Sequence, residues 1–512
     1  MKPIRLMAGI FTVGVWTLAS RVLGFVRDIM MVAFLGSGPV AEAFLVAFAL
    51  PNMFRRFFAE GAFNMAFVPM FSKKLEADDD PQRFAQEAFS GLATVLVGFT
   101  LLALLVMPWL VVAMASGFIG DERFDLATLY GRIAFVYILF ISLAALLSGL
   151  LNATGRFAAA AAAPVLLNVL FVAALILGDA RGWDLGLTMA WTVPIAGVAQ
   201  LALVWVAARR AGFTLGITWP RLSPDIKRLA IIAAPAALAG GVVQINLLVG
   251  RQVASFFDGA IVWLSVADRL YQLPLGVVGI AIGVVLLPTL ARRLQAEDAE
   301  GGRDAFNRAA EISLALTLPA AVALIVIPVP LVSVLFERGA FDRADTLATA
   351  LVLAIYAAGL PAFVLQKVLQ PLFYAREDTR APFRYALVAM VVNAVIAVGL
   401  APVMGYTAAA LATTLAAWAM VWLLWRGSRG MGEVVALDAR FRSRLPRIVL
   451  SSVVMGVVLF AVAYLLGDLL YTARVRYIAL GGLVTLGIAT YFVAAHLSRA
   501  LPLGEIRRTL RR

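Results

Sequence analysis

The sequence predicts an all-α polytopic membrane protein of about 14 transmembrane helices, and three observations carry that prediction. Of its 512 residues 62% are hydrophobic and only 14% charged, where a soluble chain would carry about a quarter charged. Apolar runs of 20 or more residues recur along the chain, each long enough at about 1.5 Å per residue to cross a bilayer. The basic residues gather in short loops between those runs, as membrane topology requires. A transmembrane β-barrel would instead show short alternating strands, and the sequence has none.

The runs cover approximately 6–36, 39–71, 84–116, 124–152, 157–178, 185–208, 226–257, 260–291, 306–336, 344–374, 382–403, 406–426, 447–467 and 474–497. Several exceed the roughly 20 residues that a perpendicular helix needs, so those helices are expected to tilt, bend or project into water. Lys2 and Arg5 ahead of the first run imitate a signal peptide. The run continues past Ser20 with no small-residue cleavage site, which predicts an uncleaved first helix. The chain has no cysteine, which excludes disulfides and thiolate metal sites. The lone His496, near the end of the last run, reads as an interfacial side chain.

A net charge of +13 raises the question of nucleic acid, but its placement answers it. With the N-terminus inside, the inward segments hold 29 Lys and Arg residues and the outward loops hold six: Arg123, Arg181, Arg338, Arg343, Arg474 and Arg476. That imbalance predicts both termini in the cytoplasm and no nucleic-acid partner.

The chain also repeats itself. Phe67-Val-Pro-Met-Phe-Ser-Lys-Lys74 resembles Leu286-Leu-Pro-Thr-Leu-Ala-Arg-Arg293, Met107-Pro-Trp-Leu-Val-Val112 resembles Val329-Pro-Leu-Val-Ser-Val334, and Val165-Leu-Leu-Asn-Val-Leu170 resembles Met390-Val-Val-Asn-Ala-Val395. The offsets are 219, 222 and 225 residues, close to six runs. An even number of runs gives the halves one orientation, related by an axis along the membrane normal. The expected organisation is a six-helix lobe over 1–215, a second over 222–430, and two further helices with a basic tail over 440–512.

Charges well inside the runs carry the functional argument. They include Arg21, Arg27, Asp28, Glu42, Arg55, Arg56, Glu60, Arg251, Asp268, Arg269 and Lys367. Each costs about 2.5–3.5 kcal/mol at a helix centre on insertion scales, so it has to face protein or water. Lys367 and Arg251 are read as snorkelling. Arg56 and Glu60, four apart on a helix, either pair with each other or meet substrate. Arg21 lies 15 residues into the first run, and on a straight helix it and Arg27 differ by about 240° in azimuth. A bend at Gly24, midway between them, would turn both to one side. Asp268-Arg269 stands in the eighth run, ahead of Pro274 and glycines at 276, 279 and 283. Two readings follow: Asp28 and Asp268 merely neutralise their arginine neighbours, or the arginines form a site for an anion, since guanidinium grips phosphate oxygens in a bidentate way.

Three stretches and a fourth that fits them carry a resemblance. Ser20-Arg-Val-Leu-Gly-Phe-Val-Arg-Asp28, Leu50-Pro-Asn-Met-Phe-Arg-Arg-Phe-Phe-Ala-Glu-Gly-Ala-Phe63, Ala267-Asp-Arg-Leu270 and Phe373-Tyr-Ala-Arg-Glu-Asp-Thr379 resemble the MurJ/MviN flippases of bacterial peptidoglycan synthesis, over the full length of the chain. The resemblance implies the multidrug/oligosaccharidyl-lipid/polysaccharide exporter superfamily, with two lobes around a central cavity in the bacterial inner membrane. It implies as substrate lipid II, an undecaprenyl-pyrophosphate glycopeptide, flipped from the inner to the outer leaflet by alternating access. The family's cavity arginines fall on Arg21, Arg27, Arg55 and Arg269, with Asp28 beside them, and its lipid-tail groove on 447–497. Glu42 stands where the family places an aspartate. Sodium-binding members use carboxylates where this chain has Asn246 and Asn393, so no cofactor or metal is expected. The expected partners are lipid II, membrane lipids and cell-wall synthesis proteins, around a monomer.

Other readings compete. A drug exporter needs unpaired cavity acids, whereas each central acid here has an arginine beside it. A flippase of another polyprenyl-linked glycan shares every feature above. A membrane-embedded transferase acting on such a lipid needs exposed acids and a metal loop; Asp78-Asp-Asp80, just before Pro81 at a helix start, reads instead as a solvated loop. The chain is therefore expected to be a transporter and not an enzyme.

Overall fold

The computed structural model describes residues 6–55, 62–472 and 474–500. Among them the regular structure is helical, apart from one isolated bridge between Arg338 and Phe341. The first nine helices are α1 (Leu6–Leu35), α2 (Pro39–Arg55), α3 (Ala62–Ala77), α4 (Pro81–Leu105), α5 (Met107–Met114), α6 (Glu122–Phe135), α7 (Tyr137–Ala153), α8 (Ala158–Arg181) and α9 (Leu185–Arg210). They are followed by α10 (Pro224–Ala254), α11 (Ala260–Gln295), α12 (Ala299–Val326), α13 (Pro328–Phe336), α14 (Arg343–Tyr374), α15 (Arg380–Met404), α16 (Thr407–Ser428), α17 (Ala439–Leu466) and α18 (Val475–Leu497). Ten described helical segments are long and apolar enough to cross a membrane. The other four expected runs coincide with α1, α2 with α3, α10 and α11. This is a multi-pass, all-α membrane protein.

Local chemistry sets the helix ends. Asp80, Asp121, Asp184, Ser223 and Asp438 each accept a backbone N–H of the first turn of α4, α6, α9, α10 and α17, satisfying a donor the helix itself cannot. Asp342 and Asp345 close a reciprocal capping box on α14. In the acidic run 78–80, Asp80 is thus a cap, and Asp79 pairs with Lys74 at 2.7 Å. Where long runs break, proline follows: α4 yields to α5 at Val106, before Pro108, and α12 to α13 at Ile327, before Pro328. Proline is tolerated in a first turn, where its missing N–H has no partner to lose. The breaks lie 221 residues apart, inside the spacing of the sequence repeat.

The chain forms two compact units, Met1–Val262 and Trp263–Arg512. In the first, α1 packs on α8, α2 on α6, and both α7 and α8 on α9. In the second, α14 and α15 both pack on α16, repeating the arrangement of α7, α8 and α9. α10 packs on α3, α4 and α5 and falls within the first unit. Its C-terminal end is clamped there. Gln252 Oε1 accepts from Ser116 N at 2.7 Å, its amide donates to the carbonyls of Val112 and Ala113, and Ser255 Oγ accepts from Gly117 N at 3.0 Å. The last two helices likewise belong to the second unit, where α12 packs on α17 and α17 on α18. Tyr491 on α18 donates to the Ala315 carbonyl of α12 at 2.6 Å.

The clamp leaves no room at Gly117, where a Cβ would stand 2.5 Å from the carbonyl carbon and oxygen of Ser255. Backbone cannot swing aside as a side chain can. Gly117→Ala is expected to destabilise the protein by about 1–3 kcal/mol, read as a lower melting temperature in detergent. Gly91→Ala, whose added methyl meets nothing within 4 Å, should leave it unchanged or higher.

Candidate functional site

The first-unit site is built on α1. Helical hydrogen bonding runs through Gly24 without interruption, so α1 shows no break where a bend was expected. Gly24 faces α8 instead: a Cβ there would lie 3.5 Å from the Asn168 amide nitrogen, an ordinary contact distance. The two arginines have different surroundings. Arg21 is exposed, and Arg27 is half-buried with 13% of its side chain accessible.

Arg27 is held on three sides. Its Nε and Nη2 donate to Asp28 Oδ1 at 3.0 and 2.7 Å, and its Nη1 donates to Asn168 Oδ1 at 3.1 Å. Asn168 in turn donates to the Ser20 carbonyl at 3.0 Å, so one buried amide bridges the start of the motif and its end. The guanidinium carbon also lies 5.6 Å from the ring centre of Phe171 and 6.0 Å from that of Phe48. Ring faces attract a cation while excluding water. The three bonds use three of the five N–H groups on the guanidinium, leaving two for a ligand.

Glu42 sits in a buried ion pair. It is 1% exposed, and its carboxylate meets Arg123 Nη1 at 2.9 Å and the Ile261 backbone N–H at 3.1 Å. Arg123 also contacts Asp121 at 2.5 Å and Asp258 at 3.0 Å, and stacks 4.6 Å from the centre of the Phe118 ring. Burial opposes ionisation of Asp121, but the backbone N–H and guanidinium of Arg123 outweigh it and hold that carboxyl below the ordinary range. Glu42 is thus one half of a buried clasp joining α2, the start of α6 and the start of α11, all within the first unit.

Arg55 ends α2 and is half-buried, while Arg56 and Glu60 lie outside the described residues. Asp268 and Arg269 belong to α11 in the second unit. Asp268 is half-buried and accepts from the Gln272 amide one turn on, and Arg269 is exposed. Two residues of these networks escaped the sequence reading. Asn168 served only as a marker of the repeat, although a polar amide amid apolar residues is itself a signal. Arg123 was counted as an outward loop charge, yet it is 5% exposed, and the acids at 121 and 122 beside it were the clue.

The sequence model of the family described as Lipid II flippase MurJ matches residues 31–480. The chain belongs to that family. A probable lipid II flippase MurJ of Rhizobium tropici is 44% identical over 519 residues, covering 99% of this chain and 97% of its own. The corresponding protein of Rhizobium meliloti (strain 1021) is 45% identical, covering 98% and 95%. A solved structure of a lipid II flippase MurJ in an inward closed conformation superimposes with a TM-score of 0.78 at 24% identity, over 98% of this chain and 99% of that one. The MurJ relatives are named as flippases, transporters and not catalysts, and the chain shares their fold from end to end.

Removing one side of the buried clasp should be costly. Arg123→Met strands the Glu42 carboxylate and is expected to cost about 3–5 kcal/mol, whereas adding Glu42→Gln restores most of that loss. Thermal unfolding of the two single variants and the double variant reads the coupling. A double variant no more stable than Arg123→Met would show that the charge pair is not what holds these segments together.

Proposed function

We propose that this chain moves lipid II from the inner to the outer leaflet of the cytoplasmic membrane by alternating access, its pyrophosphate gripped by arginines of the membrane helices. The observation that carries the reading is the setting of Arg27: a guanidinium on a membrane helix, fixed by Asp28 and Asn168, with two N–H groups to spare. Relatives covering the whole chain at 44 and 45% identity are named probable lipid II flippases, which supplies the substrate.

The physics follows from the cargo. A polyprenyl tail is at home in hydrocarbon, but a pyrophosphate is not, so the head group requires a cationic, wetted route. Arginine suits it because its planar fork matches two phosphate oxygens at once. Asp28 neutralises Arg27 while no substrate is bound, which lowers the cost of keeping the cation in the membrane. An arriving pyrophosphate, with more charge than one carboxylate, competes for the same cation. Arg21, Arg55 and Arg269 serve as further phosphate ligands in this scheme. Both termini lie in the cytoplasm, on the side of the basic loops. Because the chain contains its own repeat, a monomer suffices, delivering lipid II to the enzymes that build the wall.

Arg27→Ala and Arg269→Ala should each abolish lipid II export while leaving the protein inserted, measured by leaflet-specific labelling of lipid II in cells carrying the variant as sole copy. Wild-type growth and labelling on either allele would overturn the arginine grip. Arg21→Lys should also impair export, because a point charge does not replace the fork. Equal export by the lysine variant would show that charge alone is enough.

A further inference from the structure

Arg27 meets two side chains of different charge. Asp28 is a carboxylate beside it on α1, while Asn168 is a neutral amide reached where α1 packs on α8. Asn168 is 5% exposed and stands 141 residues away in the chain. The rings of Phe48 and Phe171 lie against the same guanidinium. Aromatic walls exclude water, so protein groups have to orient the cation.

The amide makes two bonds of opposite sense. Its oxygen accepts from Arg27 Nη1 at 3.1 Å, and its nitrogen donates to the Ser20 carbonyl at 3.0 Å, with the Ser20 hydroxyl at 3.4 Å. A serine or threonine at that place would turn its hydroxyl back to its own helix. An ionised aspartate has the right length but no N–H to donate. The Ser20 carbonyl also decides which end of the amide faces Arg27, since a flipped amide would set two oxygens against each other. Asn168 thus holds Arg27 by an oxygen that carries no net charge.

That neutrality matters to an anion. The charges of Arg27 and Asp28 cancel, the amide adds nothing to them, and one N–H is left on each of Nη1 and Nη2. A carboxylate at position 168 would make the group net negative and repel a phosphate where water screens poorly. Given the anion-binding role proposed for Arg27, on which this rests, we infer that Asn168 is a positioning residue: it aims the Arg27 guanidinium and leaves its charge for the substrate pyrophosphate. An uncharged acceptor at 168 is then a condition for the site to take an anion.

The test compares Asn168→Asp with Asn168→Leu in the full-length protein in detergent, measuring affinity for fluorescently labelled lipid II and the melting temperature of each. If Asn168 merely ties α1 to α8, affinity follows stability, and Asn168→Asp, which keeps a bond to Arg27, binds better. A positioning role predicts the opposite order. Asn168→Asp should melt at or above Asn168→Leu yet bind lipid II more weakly, about tenfold or more below wild type. Wild-type affinity in Asn168→Asp, or a loss no larger than that of Asn168→Leu, would overturn it. Asn168→Gln keeps an uncharged acceptor and donor and should bind between wild type and Asn168→Asp; binding weaker than Asn168→Asp would overturn the charge requirement. Arg27→Ala separates these outcomes from the function itself. If wild-type protein binds lipid II no better than Arg27→Ala, the arginine grip fails, whereas an Arg27-dependent affinity that Asn168→Asp leaves intact removes only the role of Asn168.

Discussion

A guanidinium within a bilayer has to be met by protein, and the first unit is arranged around meeting one. Arg27 is satisfied by an acid next to it on α1 and by an amide on α8, so α1 and α8 must run close together. Gly24 faces that contact, where an added Cβ would lie 3.5 Å from the Asn168 amide, an ordinary contact distance. Asn168 must also turn its other end back to Ser20, which fixes its rotamer and hence the orientation of its oxygen. Phe48 and Phe171 then close the apolar sides. The charge brings α1 and α8 together, and that approach sets where the asparagine stands.

The same logic shows why some features were legible in the sequence and others were not. Apolar length is a local property, so every run read from the chain is helical over most of its described length, with breaks such as those at Val106 and Ile327. Proline and aspartate at the ends also act locally, and the caps at Asp80 and Asp438 follow from them. The allegiance of α10 was not legible. It depends on Gln252 and Ser255 finding the backbone of residues 112–117, a contact across more than a hundred residues that no spacing announces. The ion pair of Glu42 was not legible either, because its partner, Arg123, lies 81 residues away. Gly24 was read as a hinge because glycine permits both bending and close packing, and sequence alone does not choose between them.

The internal repeat survives in geometry as well as in wording. The helix breaks at Val106 and Ile327, and the matching arrangement of α7–α9 and α14–α16, show two copies of one plan. Specialisation lies on top of it. The asparagines at 168 and 393 hold matching places and are both buried, but the clasp of Glu42 and Arg123 belongs to the first unit. The two units share a plan and differ in the charges set upon it.

Arg499 carries a consequence for anyone engineering this protein. Its left-handed backbone makes it a natural target for stabilisation, since a glycine there removes strain without touching the core. A campaign that selected on heat resistance alone would accept that change early and keep it. Natural sequences sit just above a stability threshold and are rarely at their stability optimum. At the end of α18, the residue that stands there and the residue the backbone prefers are different ones.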